Sequence, residues 1–142
     1  MSPQNFSNHT RFDKLYHFTI VPLVLVGLIG SIVNFAALRP ETHYVSALLV
    51  LVFFLLFLVA GLSRIYSLKV QDRVIRAEEN FRHFMLTGKP LDTNLHIRQI
   101  IALRFASDAE FSALANRALS ENLSARQIKE AIKEWRGDYY RV

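Results

Sequence analysis

A chain of 142 residues with 51% hydrophobic residues, a formal net charge of +5 and a pI near 9.8 fits one basic folding unit. It contains no cysteine, which excludes disulfides, thiolate nucleophiles and cysteine-ligated metals. The apolar residues are concentrated before Ser63, whereas residues 64–142 hold 14 Lys+Arg against 10 Asp+Glu.

Residues 1–14 are polar, carry no apolar stripe and are expected to form an irregular arm along the surface. Arg11 and Lys14 before an apolar stretch resemble the start of a signal peptide. The stretch is too long for that, since signal cores run about 7–15 residues, and it is read as a retained span. Residues 15–38 and 42–63 contain no Asp, Glu, Lys or Arg, and only Arg39, Pro40 and Glu41 separate them. A bilayer core of about 30 Å needs about 20 apolar residues of helix. The pattern predicts a two-helix transmembrane hairpin over residues 15–63, with spans at 15–38 and 43–63.

The first span carries Pro22 in its early turns, where neighbouring groups must satisfy the carbonyl that proline frees. Gly27, Ser31 and Asn34, joined by Gly30, recur at steps of three and four. Small residues let helices approach closely and an amide can bond across the contact, so these four form a predicted packing face. It serves the second helix or another copy in preference to a polar pathway. The second span, VSALLVLVFFLLFLVAGL over residues 45–62, is apolar all round, without acid, base or amide. Such a helix faces lipid and offers no proton or ion path.

Seven basic residues flank the spans on the terminal sides (Arg11, Lys14, Arg64, Lys69, Arg73, Arg76 and Arg82), against Arg39 alone between them. The positive-inside rule then puts both termini in the cytoplasm. Tyr16 and Tyr66 are expected at the inner interface and Tyr44 at the outer one. On this topology the glycosylation patterns at Asn5, Asn8 and Asn122, and the adhesion tripeptide Arg136-Gly137-Asp138, are chance matches.

No Pro or Gly interrupts residues 63–87, which predicts that the second span continues as a helix, with a juxtamembrane segment at 64–86. Tyr66, Val70, Val74, Ala77, Phe81 and Phe84 form a helical stripe expected to pack on the tail or on a second copy. Arg64, Lys69, Arg73 and Arg76 form a basic set suited to anionic lipid at the membrane surface. Thr87-Gly88-Lys89-Pro90 breaks the helix and lacks the lead-in of a phosphate loop.

Residues 91–142 predict a small cytoplasmic domain of three helices. The first covers 97–105; the second opens on a capping box at Ser107 and Glu110; the third opens on another at Ser124 and Gln127 and stops at Gly137. Phe105, Phe111 and Trp135 are assigned to its core, and 52 positions need outside cover to complete that core. The basic helix ARQIKEAIKEWR is similar to a helix-turn-helix recognition helix, but Glu130 and Glu134 interrupt it. Residues 91–142 also balance 8 Lys+Arg against 7 Asp+Glu, too even for phosphate-backbone affinity. His9, His17, His43, His83 and His96 form no metal-ligand spacing, and no nucleophile elbow occurs. No catalytic residue, cofactor or metal is expected.

Gln4-Asn5 with Asn8-His9-Thr10-Arg11, LKVQDRVIRAEE from Leu68, RQIIALRFASDAE from Arg98 and IKEAIKEWRGDYYRV from Ile128 carry a resemblance over essentially the full length. The chain resembles an uncharacterised bacterial family of small two-span membrane proteins, known only as a domain of unknown function. The resemblance implies a bacterial inner-membrane protein with a cytoplasmic helical tail; the family has no assigned activity, substrate or catalytic residue, so none is carried over. The expected fold is all-α, a transmembrane hairpin whose second helix extends into the cytoplasm and leads to the three-helix tail. The expected role is a non-enzymatic membrane-anchored interaction module, its partners being the lipid bilayer and a protein or a second copy. The alternatives are an accessory subunit of a transport complex, a membrane-tethered nucleic-acid-binding regulator and an enzyme that uses a cytoplasmic cleft.

Overall fold

A computed structural model describes residues 4–9, 13–37 and 43–138, and among these the secondary structure is helical, without a strand. Thr10, Arg11, Arg39, Pro40 and Glu41 lie outside the described residues. A π-helical turn at Tyr16–Ile20 leads into α1 (Val21–Ala37); α2 (His43–Thr87), α3 (Ile97–Leu103), α4 (Asp108–Ser120) and α5 (Ala125–Ala131) follow. The chain forms two compact units, one of Arg11–Leu68 and one of Met1–Thr10 with Lys69–Val142.

In the first of these units the Asp13 side chain accepts the Tyr16 amide at 3.2 Å, which gives the opening helix its N-terminal cap. The turn before Pro22 winds as π-helix, with the Val21 N–H donating to the Tyr16 carbonyl five residues back. This accommodates a proline that has no N–H of its own. Three contacts fix an antiparallel pairing of α1 with α2: the Tyr16 hydroxyl on the Ala60 carbonyl, Gly27 beneath the Phe53 ring, and Asn34 on Ser46. Both Tyr16–Ala37 and His43–Thr87 are long and apolar enough to cross a membrane by length and composition, each through an apolar stretch of 18 residues. Only 6% of each apolar stretch is buried within the protein.

The other unit has a closed core. Ile100, Leu103, Phe105, Phe111 and Ile128 are fully buried, with Leu91 and Leu95 from the connecting loop. Gly88, at φ +73°, ends α2, and its amide donates to the Phe84 carbonyl at 2.8 Å. Asn122, at φ 48°, ends α4, and the Leu123 amide reaches back to the Ala118 carbonyl at 3.1 Å. Asn tolerates the left-handed conformation better than most residues, which gives the motif at Asn122 a local role. Gln99 is buried at the start of α3, yet it is satisfied: its Oε1 accepts the His96 amide, and its Nε2 donates to the carbonyls of Ala118 and Leu123.

Two local expectations fail. The capping box at Ser107 does not form, because the Ser107 amide donates to the Glu134 carbonyl at 3.1 Å. Glu110 turns away and accepts the amides of Lys133 and Glu134 at 3.2 and 3.1 Å. The last helix stops at Ala131, not Gly137; Ile132 is extended, and Trp135 bridges antiparallel to Ala106. That bridge leaves α5 with seven of the twelve residues of the candidate recognition helix.

Candidate functional site

The N-terminal arm is docked within its unit. Gln4 is 9% exposed, and its side-chain amide pairs with the Asp138 backbone: the Asp138 N–H donates to Oε1 at 2.8 Å and Nε2 donates to the Asp138 carbonyl at 3.2 Å. This imitates one rung of a strand pair. The His9 ring stands 5.7 Å, centroid to centroid, from both Phe105 and Trp135. Its Nδ1 lies 2.8 Å from the Phe6 carbonyl and its Nε2 3.0 Å from Lys129 Nζ. A carbonyl only accepts and an ammonium only donates, so this geometry selects a neutral ring protonated on Nδ1. Asp138 also pairs with Arg104 at 3.2 Å, and the Arg136 amide donates to the Phe105 carbonyl at 2.7 Å. The tripeptide at 136–138 is thereby used in internal bonds.

Arg82 is the second organising group. Its guanidinium is 10% exposed and reaches Glu79 Oε2 at 3.0 Å, Asp108 Oδ1 at 2.6 Å and the Ala106 carbonyl at 2.7 Å, and it lies 4.4 Å from the centroid of the Phe111 ring. A planar fork suits this crowded position, because Nε, Nη1 and Nη2 each reach a different acceptor, which a single ammonium nitrogen does not match. Arg117–Glu121 and Arg126–Glu130 are exposed pairs one helical turn apart. The Arg117 guanidinium holds the Glu121 carboxyl below its usual range through a hydrogen bond.

Arg73 and Arg76 differ from these. They line an open groove of about 580 Å³ together with Ala77, Asn80, Asp92 and Thr93. Neither makes a side-chain hydrogen bond or ion pair among the described residues. Asn80 Oδ1 accepts the Leu91 amide at 2.8 Å, which fixes the orientation of the amide and leaves its Nδ2 donors uncommitted.

The residues singled out from the sequence are distributed as follows. Gly27 lies under Phe53, Ser31 is buried and donates to the Leu28 carbonyl at 2.8 Å, and Asn34 Nδ2 donates to Ser46 at 3.3 Å. Gly30 has open space where a side chain would stand and takes no part in this contact. Arg64 sits 5.8 Å from the centroid of the Tyr16 ring. Lys69 is exposed.

The stripe of Tyr66, Val70, Val74, Ala77, Phe81 and Phe84 is exposed, Phe81 by 64% and Val70 by 60%, and does not cover the tail core. The face of α2 that packs there is Ile75, Glu79 and Arg82, because Arg82 finds two acceptors at the start of α4, Asp108 and the Ala106 carbonyl, while Glu79 steadies it from its own helix. Sequence reasoning missed Ser46, Gln4 and this polar face. Arg82 three residues after Glu79 was the available signal for the last of these.

No curated protein and no solved structure matches the chain. A family model described as a family of unknown function matches residues 1–142. Segments that carried the resemblance meet in the docked unit, through Gln4, His9, Glu79, Arg104, Asp108 and Asp138. With the whole length matched, the chain belongs to the family of unknown function DUF6526.

Proposed function

We propose that the protein is a non-enzymatic, integral membrane protein whose apolar hairpin anchors a small helical interaction module in the cytoplasm. The observation that carries this reading is the bare apolar surface of α1 and α2. Side chains such as Leu23, Val26, Ile29 and Val59 are more than half exposed, and the core helix of a water-soluble protein would have them covered. Burial of apolar surface is worth about 25 cal/mol per Å². Such helices therefore need lipid or protein around them, and a span of about 20 residues matches a bilayer core.

The module reading rests on the Val70, Val74, Phe81 and Phe84 face, an exposed apolar stripe on an otherwise closed unit. Contiguous apolar surface of this kind marks contact sites for proteins or membranes. The buried polar groups Glu79, Arg82 and Gln99 are bonded internally and support a scaffold more than a reaction centre. A bacterial inner membrane and two cytoplasmic termini complete the proposal, the latter from the basic flanks.

A photo-crosslinking residue at Phe84, activated in native membranes, tests the module. The expected result is one stoichiometric adduct, either with a second copy or with another membrane protein. Crosslinking to lipid alone would remove the protein-interaction role.

A further inference from the structure

We propose that the groove lined by Arg73 and Arg76 binds a phosphate group, carried either by a small soluble ligand or by a lipid headgroup. Four of the arginines in its unit, Arg82, Arg104, Arg117 and Arg126, are paired with carboxylates. Arg73 and Arg76 are not, although they stand three residues apart on one helix, where like charges repel. An anion between them relieves that repulsion.

The same groove gathers further donors. Asn80 presents Nδ2 because its Oδ1 is held by the Leu91 amide. Thr93 lines the opening, and its hydroxyl makes no hydrogen bond among the described residues. Two guanidinium forks, an amide and a hydroxyl match the acceptor-rich surface of a phosphate, and guanidinium binds it in bidentate fashion.

Asp92 is the one acidic group on the lining, and its Oδ1 accepts the Asn94 amide at 2.8 Å within its own turn. Against two arginines it leaves the groove with a net charge of +1. A volume near 580 Å³ lies in the range of small-molecule sites and exceeds what a bare phosphate fills. Ala77, on the wall, belongs to the exposed apolar stripe, which suits a ligand that carries carbon next to its phosphate. The inference does not depend on lipid immersion of the hairpin.

Calorimetric titration of the full chain in a neutral detergent tests it, with inorganic phosphate, glycerol 3-phosphate and short-chain phosphatidate as probes and phosphatidylcholine as control. At least one phosphate probe should bind, more weakly as salt rises. Affinity should fall by about tenfold or more in R73Q/R76Q, which loses two charge-assisted contacts. Arg117→Gln, at an exposed arginine outside the groove, should bind as the parent does. Binding of the two soluble probes assigns a soluble ligand, and binding of phosphatidate alone assigns a headgroup; both support the site. Binding by none of the three, or undiminished binding in R73Q/R76Q, would overturn it.

Discussion

Arg82 and Glu79 show how much one polar pair can organise. Both side chains are at most 10% exposed, and removing one member of a buried pair costs about 3–5 kcal/mol, because the other charge stays behind. Arg82→Leu should therefore destabilise its unit by an amount of that order. Glu79→Leu combined with Arg82→Leu should recover much of the loss. Free energies from hydrogen exchange of the core amides at Leu103 and Phe111 measure both. A double variant as unstable as the single one would show that the orphaned carboxylate is not the cause. The two glycines of α1 make a second contrast. Gly27→Leu drives a side chain into Phe53 and should loosen the hairpin by about 1–3 kcal/mol, the usual cost of overpacking. Gly30→Leu meets open space and should leave the pairing unchanged, as read by the distance between spin labels on α1 and α2.

Among the elements, the two Ser-x-x-Glu/Gln segments look alike in sequence and behave differently. At Ser124 the box is complete, with the Ser124 amide on Gln127 Oε1 at 2.8 Å and the Gln127 amide on the Ser124 hydroxyl at 3.3 Å. At Ser107 the hydroxyl is shut off from solvent and has no partner among the described residues. Ser124→Ala should cost about 1 kcal/mol and Ser107→Ala close to nothing, which thermal melting of the two variants distinguishes. The difference explains what the sequence could reveal. Helices and stops that depend on nearby residues were legible, including the break at Gly88 and the cap at Ser124. Features set by distant partners were hidden. The Ala106–Trp135 bridge ended α5 early, and the Gln4 and His9 contacts drew a polar arm onto the tail across more than a hundred residues. Of the two covers expected for the stripe, the tail is not the one used, for a related reason: apolar periodicity names a helix face but not its cover. Hydrogen-bond geometry at Arg82 chose the neighbouring face.

For the molecule as a whole, the family assignment and the all-helical architecture define the protein, and the proposed role depends on where its two units reside. The absence of cysteine makes that question direct, since single cysteines can be introduced on a silent background. In sealed vesicles of known orientation, single cysteines at Ser7, Glu41 and Ser120 can be challenged with a membrane-impermeant maleimide. The account predicts that Glu41 labels from one side only, and that Ser7 and Ser120 label only from the opposite, cytoplasmic side. Labelling of all three from the same side, or release of the chain from the vesicles by alkaline carbonate, would contradict it.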